Sequence, residues 1–350
     1  MFKRSNMAQT ILNPSVANEN QKEATKTVES SINDAIFGMT VQNQPINTLY
    51  RVNSKRNSKK KPMHKQEIQY GAIKAVTKAK SFGLPEAQML DYLIYVHANT
   101  PNHDNNGTVV FTLSDYLKDS NKTDRKSAKR TILKCLDALY DVSITYEGGY
   151  KNNPYDPQYL SKFRLLTYTY DRGVVSVKWD DNFYKHFLAN HVMGMPHSRY
   201  NFTLNPYKDA TALYILRALE ENKRKNASNP NRQNWMKVST LLKYVPSLKP
   251  AEELKEKGDR HYYERIIEPI YKAVERLAKP TDPHRPIKSY CFTCGSGKNK
   301  KLLDLGDEKV DYNLFANASL EVEWNNYPDK LLKQWSKSKR SKNKQKSKPK

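Results

Sequence analysis

The sequence predicts an α+β protein with two globular units of similar element order, flanked by basic segments that lack a core. The chain has 350 residues, more than one ordinary domain, and only 37% of its side chains are hydrophobic. Apolar residues recur at helical spacing in two separate regions, and each region ends in short β-branched runs. We therefore expect one unit over residues 66–200 and a second over residues 201–325.

Basic residues are unevenly distributed along the chain. The net charge is +24, and residues 51–65 and 333–350 carry seven and nine basic side chains without an acidic one. The middle of the chain still has a positive net charge when both tracts are subtracted. Binding to a polyanionic partner therefore need not depend on the tails alone. Residues 1–65 have no sustained apolar period, which predicts a disordered basic arm. The Lys/Ser-rich tail, 326–350, is expected either to contact phosphates or only to raise solubility.

Composition argues against membrane and secreted classes of protein. No apolar run approaches the roughly 18 residues that a helix needs to cross a bilayer. Three cysteines are too few for a disulfide framework, and an odd number cannot all be paired. No signal-peptide pattern follows Met1. The sequence therefore predicts a protein of a reducing cytoplasm without a membrane partner.

The elements of the first unit follow from spacing and caps. Apolar residues at three- and four-residue intervals predict a helix over 85–98, and the β-branched run 108–112 predicts a strand. Ser114 is expected to cap a short helix over 115–118. The stretch 121–141 has one apolar face, while its cations crowd the opposite face and the N-terminal part. This pattern predicts an amphipathic helix with a cationic front.

Three β-rich runs complete the first unit, at 142–146, 163–170 and 174–179. Asp171-Arg172-Gly173 joins the last two runs and places glycine where a hairpin turn needs positive φ. Helix, strand, helix, helix and hairpin is the order of a winged helix. In this fold the second helix of a helix-turn-helix can enter a DNA major groove, and the hairpin, or wing, can contact the flanking backbone.

The second unit repeats this order, so the chain is expected to hold two tandem winged-helix domains. Its expected elements are a helix over 207–222, a polar loop over 223–234, a strand over 236–238, a short helix over 240–244, a linker over 247–258, a long helix over 259–279, and wing strands over 289–293 and 320–324. Ser239 and Asp259 are the expected caps of the two later helices. Pro269 should kink the long helix.

Cations near the N-terminal turns of the two long helices are the candidate DNA contacts. Arginine can pair bidentately with guanine O6 and N7, and lysine can neutralise phosphate. The candidates are Arg125, Lys126, Lys129, Arg130, Lys134 and the hairpin residue Arg172 in the first unit, and Arg260, His261 and Arg265 in the second. Either set could instead be a solvated helix face, and Glu264 could pair with Arg260 or His261 at helical spacing. Tyr262 and Tyr263 could pack on a sugar or base, or in the core.

The sequence lacks the motifs that mark the common DNA-cleaving enzymes. No His-x-His pair occurs among the eight histidines, which argues against a metal-dependent nicking site. No His-x-x-Arg occurs, as a tyrosine recombinase would need. Cys291-Phe292-Thr293-Cys294 lacks a second ligand pair at zinc spacing, and its alternation favours a strand. We therefore predict a non-enzymatic protein with no catalytic residues, metal or cofactor.

The chain resembles the tandem winged-helix initiators of theta-type plasmid replication, the Rep proteins that bind short direct repeats, or iterons, at an origin. The resemblance covers roughly residues 66–325 and rests on the two-unit order and on two stretches. Asp209-Ala210-Thr211-Ala212-Leu213-Tyr214-Ile215-Leu216 is similar to the family's stretch ending in Arg-Leu-Tyr, and Ile267-Glu268-Pro269-Ile270 lies in the second recognition helix. Ala212 stands where the family usually has arginine.

This resemblance implies a replication initiator of a plasmid or related mobile element, associated with the plasmid or nucleoid in a bacterial cytoplasm. It implies that the second winged helix reads one part of each origin repeat and the first contacts the rest. It further implies monomer binding to the repeats, a dimer interface on the first unit, and recruitment of the host initiator and replicative helicase. The alternatives are a transcriptional repressor, a phage replication organiser, or a DNA-nicking enzyme whose site lacks a recognised motif.

Overall fold

The computed structural model describes most of both predicted units and small parts of the flanking segments. The described residues are 40–42, 64–70, 73–79, 83–99, 107–150, 153–184, 193–195, 198–248, 251–256, 260–279, 284–295, 299–305, 310–325 and 327–328. The predictions for most of the arm 1–65 and for the tail beyond residue 328 therefore lie outside the described residues. Among the described helices, none is both long and apolar enough to cross a membrane.

The first unit contains nine strands and four helices among its described residues. In chain order they are β1 (Thr40–Gln42), β2 (His64–Tyr70), β3 (Ile73–Ala79), α1 (Leu84–Asn99), β4 (Thr108–Thr112), α2 (Leu113–Asp119), α3 (Arg125–Tyr140), β5 (Ser143–Tyr150), β6 (Asn153–Arg164), β7 (Leu166–Asp171), β8 (Val174–Trp179), α4 (Asp181–Phe183) and β9 (Met193–Met195). The predicted order of helix, strand, helix, helix and hairpin is confirmed in α1, β4, α2, α3 and β7–β8.

α1 is the central helix of the first unit. Leu90, Leu93 and Ile94 are fully buried, and so are polar residues on other sides of the helix, including Asp91. His97 is only 4% exposed and packs edge-on against the Tyr184 ring at 5.5 Å, which agrees with its predicted place at the edge of the core. A helix buried on nearly every side must contact elements beyond its own winged helix.

The strand β4 leads directly into the helix α2. Thr112 caps this helix, because its hydroxyl accepts the Asp115 N–H at 3.1 Å while the Asp115 carboxylate accepts the Thr112 N–H at 2.8 Å. This reciprocal pair is a capping box. The predicted cap, Ser114, is wrong by two residues, since Ser114 already lies inside the helix.

The turn from α2 to α3 makes the helix-turn-helix. Asn121 adopts a positive φ of 51°, a conformation that asparagine tolerates better than most residues. Asp124 then caps α3 by accepting the Ser127 N–H at 3.0 Å, so the helix begins at Arg125 and not near residue 121. The predicted inward face is confirmed, since its members are all buried: Ala128, Ile132, Cys135, Leu136 and Leu139.

Three antiparallel strands form the winged-helix sheet of the first unit, in the order β4-β8-β7. Arg172 and Gly173 form the hairpin turn with φ of 45° and 95°, which confirms the predicted need for glycine. The predicted strand 163–170 is wrong as a single element, because Leu165 separates β6 from β7. Leu165 is fully buried and its N–H donates to the Val142 carbonyl, so the chain passes there from one sheet to another.

A second sheet in this unit has the order β2-β3-β5-β6 and is antiparallel throughout. It joins strands that precede α1 to the hairpin that follows α3. This sheet is an addition to the minimal winged helix, and no local sequence pattern predicts it. β1 pairs antiparallel with β9, with Thr40 opposite Met195. Residues 40–42 are therefore a strand where the composition predicts disorder, because long-range pairing supplies order that local composition cannot reveal.

The second unit follows the same plan. Its described elements are α5 (Ser198–Thr203), α6 (Ala210–Lys225), α7 (Pro230–Gln233), β10 (Trp235–Lys237), α8 (Val238–Leu242), α9 (Ala251–Glu256), a π turn (Tyr263–Ile267), α10 (Glu268–Leu277), β11 (Ile287–Cys294), β12 (Lys301–Leu302), α11 (Tyr312–Asn317) and β13 (Ser319–Trp324). Its sheet has the order β10-β13-β11-β12. Because β10-β13-β11 repeats the topology of β4-β8-β7, the tandem winged-helix fold is confirmed.

Three details of the second unit differ from the predictions. The polar loop 223–234 contains the end of α6 and the short helix α7, and the linker 247–258 contains α9. β10 and α8 begin one or two residues early, at Trp235 and Val238, so Ser239 lies inside α8 and is not its cap.

Pro269 acts on the long helix through the turn before it. The Glu268 N–H donates to the Tyr263 carbonyl, five residues back, so the backbone widens into a π turn just before the proline. Proline has no N–H to donate and its ring excludes the carbonyl four residues earlier, which explains the widening. The predicted cap Asp259 lies outside the described residues.

Candidate nucleic-acid interface

The recognition helix α3 carries a row of exposed cations. Its five predicted contacts are all exposed: Arg125, Lys126, Lys129, Arg130 and Lys134. None of them forms an ion pair with another described residue. Lys126, Arg130 and Lys134 follow one another at four-residue intervals, so they share one line along the helix. We name these five residues, together with Arg172, the first basic surface.

The first turn of α3 places positive charge against the helix dipole. Arg125 and Lys126 occupy this turn, which contains no acidic residue. Cations near a helix N-terminus oppose the dipole and typically cost about 0.3–1 kcal/mol each. The arrangement therefore disfavours folding slightly, and it leaves both cations exposed to an anionic partner.

At the C-terminal end of α3, the cation Arg164 makes contacts that stabilise the helix. Arg164 Nη1 donates to the Tyr140 carbonyl at 3.1 Å, lies 3.8 Å from an Asp141 carboxylate oxygen, and stacks 4.4 Å from the Tyr140 ring centroid. Such contacts at a helix C-terminus complement the dipole. The cations at the N-terminal end have no equivalent partners among the described residues, so their presence is not explained by helix stability.

The wing lies against the cationic front of α3. Lys129 Nζ is 4.7 Å from the centroid of the Tyr170 ring on β7. At the wing turn, a Cβ added to Gly173 would lie 3.5 Å from Arg125 Nη2. Arg172, in the same turn, has 91% of its side chain exposed, and its contact with the adjacent Asp171 is too exposed to neutralise it strongly. Helix and wing therefore form one continuous positive surface.

A hydrogen bond fixes the wing to the side of α3. The Tyr168 hydroxyl donates to Asp137 Oδ1. Partial burial, followed by the hydrogen bond and the nearby negative charge of Asp137, raises the pKa of Tyr168 to about 12. The carboxylate of Asp137 is therefore satisfied by the wing.

The cations of the second recognition helix are more strongly balanced. Arg260, His261 and Arg265 are all exposed at its N-terminal end. His261 Nδ1 lies 3.6 Å from a Glu264 carboxylate oxygen, which confirms one of the two pairings that helical spacing predicted. One turn further, Lys272 lies 2.5 Å from Glu268. The three predicted contacts are thus brought together on one exposed helix end, with an acidic residue among them.

The wing of the second unit is also charge-balanced. Lys288 lies 2.6 Å from Glu323, and Lys300 lies 2.6 Å from Glu321. Hydrogen bonds from Lys288 and Ser289 hold the pKa of Glu323 below its ordinary value. The first unit therefore presents the stronger positive surface, a difference that the sequence did not reveal because the paired residues are more than twenty positions apart.

Tyr262 and Tyr263 make contacts within the protein. The Tyr262 ring stacks on Tyr312 with centroids 5.3 Å apart, and the Tyr263 hydroxyl donates to the Leu305 carbonyl at 2.8 Å. Both contacts fasten α11 and its neighbouring loop to the start of the recognition helix. The core interpretation of these two tyrosines is the one that the geometry supports.

The thiols of the second unit lie on a strand, as their alternation predicted. Cys291 and Cys294 belong to β11, and burial raises the pKa of both. Protonated thiols are poor metal ligands and poor nucleophiles. Among the described residues no group of three or more His, Cys, Asp or Glu side chains could hold a metal ion.

Comparison with known proteins gives structural matches alone. No family model matches the chain, and no curated protein matches it. The chain is similar to a crystal structure of domains 2 and 3 of RctB, with a TM-score of 0.44 and 12% identity over 80% of this chain and 98% of that one. A second structure of RctB domains 2-3 gives 0.40 and 14%, over 78% and 94%. The Pi initiator protein in complex with iteron DNA gives 0.42 and 9%, over 82% and 96%.

Proposed function

We propose that this protein binds repeated duplex DNA sites sequence-specifically and initiates replication of a plasmid or related mobile element there. The observation that carries the DNA-binding part is the first basic surface. Its five cations on α3 are exposed and have no ion-pair partner among the described residues, and the surface continues onto the wing. Each winged helix would place its recognition helix in the major groove and its hairpin along the backbone.

The dimensions of the cation row suit a groove. Lys126, Arg130 and Lys134 span eight residues, or about 12 Å at the helical rise of 1.5 Å per residue. The major groove of B-DNA is also about 12 Å wide. Arg125 and Arg130 would read base edges bidentately, while Lys126, Lys129, Lys134 and the wing residue Arg172 would contact phosphates on either side.

The replication role rests on the sequence resemblance to theta-type initiators. Monomers bound at neighbouring repeats would bend or destabilise an adjacent A·T-rich segment, because added contacts offset the cost of deforming DNA. The bound copies would recruit the host initiator and the replicative helicase. A dimer formed through the first unit would hold the protein inactive. The protein itself would carry out no bond-breaking chemistry, and it would act in the bacterial cytoplasm.

A footprint on the DNA that flanks its own gene tests this function. The full chain is titrated against that DNA in a salt series, with random duplex as competitor. The Arg125→Ala/Arg130→Ala variant is compared with Lys208→Ala/Arg232→Ala, which removes two exposed cations outside both recognition helices. We expect several protected direct repeats that resist competitor and weaken selectively in the first variant.

Other outcomes of this experiment point elsewhere. A single protected inverted repeat over the promoter would identify a repressor. Strand cleavage with a divalent ion would identify a nicking enzyme. Salt-sensitive binding without any footprint would mean that the basic arms caused the signal, and the proposal would be abandoned.

A further inference from the structure

A buried ion pair joins the two winged helices. Arg217 Nη1 donates to Asp91 Oδ2 at 2.5 Å, and the two side chains are only 7% and 2% exposed. Asp91 belongs to α1 and Arg217 to α6, so each residue lies on the first helix of its own winged helix. Burying two charges is unfavourable unless their geometry is well satisfied, and removing one partner of a buried pair is strongly destabilising. The pair therefore favours one relative placement of α1 and α6.

The helix α5, the first described element of the second unit, packs against the first unit. Gln88 Nε2, on α1, donates to the carbonyls of Asn201 at 2.5 Å and Leu204 at 3.1 Å. The Phe202 ring packs edge-on against the rings of Tyr92 and Tyr95, with centroids 5.3 and 5.2 Å away. Both the backbone and an aromatic side chain of this connecting segment are thus held by α1.

The same short helix reaches the recognition helix of the second unit. The Tyr200 hydroxyl donates to the Arg276 carbonyl, near the end of α10, at 3.2 Å. It also accepts a hydrogen bond from Arg285 Nη1 at 2.6 Å, and Arg285 donates to the same Arg276 carbonyl. Arg285 lies just before the wing strand β11. A single connecting element therefore contacts α1 on one side and the junction of recognition helix and wing on the other.

From these contacts we infer that the Asp91–Arg217 pair, assisted by α5, fixes the distance and rotation between the two recognition helices. The spacing between the two DNA subsites then becomes a determinant of specificity. Buried apolar residues of both units also form one continuous core, which resists independent rotation. Asp91 and Arg217 are positioning residues in this account, since neither is exposed to DNA. The inference rests on the proposed DNA-binding function.

Duplex geometry makes this rigidity measurable. Each base pair inserted between two subsites moves the second by about 3.4 Å and rotates it by about 35°. A reader with a fixed separation cannot follow a two-base-pair insertion, whereas two loosely tethered units can. The spacing dependence of affinity therefore reports on the coupling between units and not on the quality of either contact.

The test uses the footprinted site with insertions of one and two base pairs between the regions that the two units protect. Asp91→Asn leaves Arg217 buried against a neutral amide, and Asp91→Leu/Arg217→Met replaces the pair with apolar side chains of similar size. The second variant can be measured if the first does not fold, because apolar groups can often replace a buried ion pair without loss of stability. Lys208→Ala serves as the control.

We expect the wild type and the control to lose at least tenfold in affinity on the two-base-pair insertion. Both Asp91 variants should lose less than threefold on it, while binding the parent site within about tenfold of the wild type. A wild type that tolerates the insertion, or variants that keep the tenfold loss, would overturn the inference.

A measurement without DNA separates this inference from the proposed function. Spin labels at Ser114→Cys on α2 and Ser239→Cys on α8, both exposed positions, are introduced with Cys291→Ser and Cys294→Ser. A narrow distance distribution that broadens with Asp91→Asn or Asp91→Leu/Arg217→Met supports fixed coupling even if no DNA site is found. A broad distribution in the otherwise unchanged chain, or a narrow one in all variants, contradicts it.

Discussion

Lys129 on the recognition helix lies over the ring of Tyr170 on the wing, with 4.7 Å between Nζ and the ring centroid. This contact joins the two parts of a winged helix that touch DNA in the proposed complex. Lys129 is exposed and has no ion-pair partner among the described residues, so the interaction orients the lysine without neutralising it. Helix and wing should therefore act on DNA as one surface.

Removal of the two arginines in the first half of α3 should weaken specific binding more than non-specific binding. Each arginine that pairs bidentately with a guanine contributes about 1–3 kcal/mol of discrimination. The measurement is the affinity of Arg125→Ala/Arg130→Ala for the footprinted repeat and for random duplex. An equal loss on both DNAs, or the same loss in Lys208→Ala/Arg232→Ala, would show that these arginines act only as bulk charge.

Removal of an acidic residue from the second wing should strengthen binding. In the wild type, Lys288 Nζ lies 2.6 Å from a Glu323 carboxylate oxygen. Glu323→Gln removes this negative charge and so makes one cation available to a phosphate. We expect severalfold tighter binding at low salt, with a salt slope steeper by about one. Fluorescence anisotropy over a salt series measures both quantities. Unchanged affinity and slope would place this wing away from the DNA.

The start of α2 offers a matched pair of substitutions for stability. Thr112→Ala removes the hydroxyl that accepts the Asp115 N–H, which is the side-chain half of the capping box, and should lower the free energy of unfolding by about 1 kcal/mol. Ser114→Ala, at the exposed position that sequence pattern favoured as the cap, should change it by less than about 0.5 kcal/mol. Urea denaturation compares the two variants. Equal effects would argue against the capping box.

The Tyr168–Asp137 hydrogen bond predicts a loss of stability at alkaline pH. The folded protein raises the pKa of Tyr168 from 10.0 to about 12, so the bond contributes fully below about pH 10 and is lost as the pH rises through 12. The difference in unfolding free energy between wild type and Tyr168→Phe should stay constant up to about pH 10 and then shrink. Tyr170→Phe is the control, and a difference that grows with pH would contradict the assignment.

Local patterns predicted the parts of the fold that local forces decide. The apolar face of α3, its cationic front and the glycine at the wing turn all follow from periodicity or from one residue's backbone preference. The cap at Thr112 was missed because β4 and α2 meet without a loop, so two residues of suitable type stood near the boundary.

Long-range pairing accounts for what the sequence could not reveal. The β2-β3-β5-β6 sheet joins strands on both sides of α1 and α3, and strand pairing across such distances leaves no local signature. Asp91 and Arg217 are 126 positions apart, and each looks like an ordinary surface charge on its own helix. The weaker positive charge of the second unit likewise depends on pairs such as Lys288 and Glu323, which meet only when the wing folds.

Cleavage of DNA from the helix itself tests whether α3 lies in the groove of a duplex. An iron chelate is attached to Lys126→Cys, with Cys291→Ser and Cys294→Ser, and Lys208→Cys carries the chelate in the control. We expect cleavage of both strands at a few adjacent base pairs inside every protected repeat, and none from position 208. Diffuse cleavage from position 126, equal to that of the control, would contradict it.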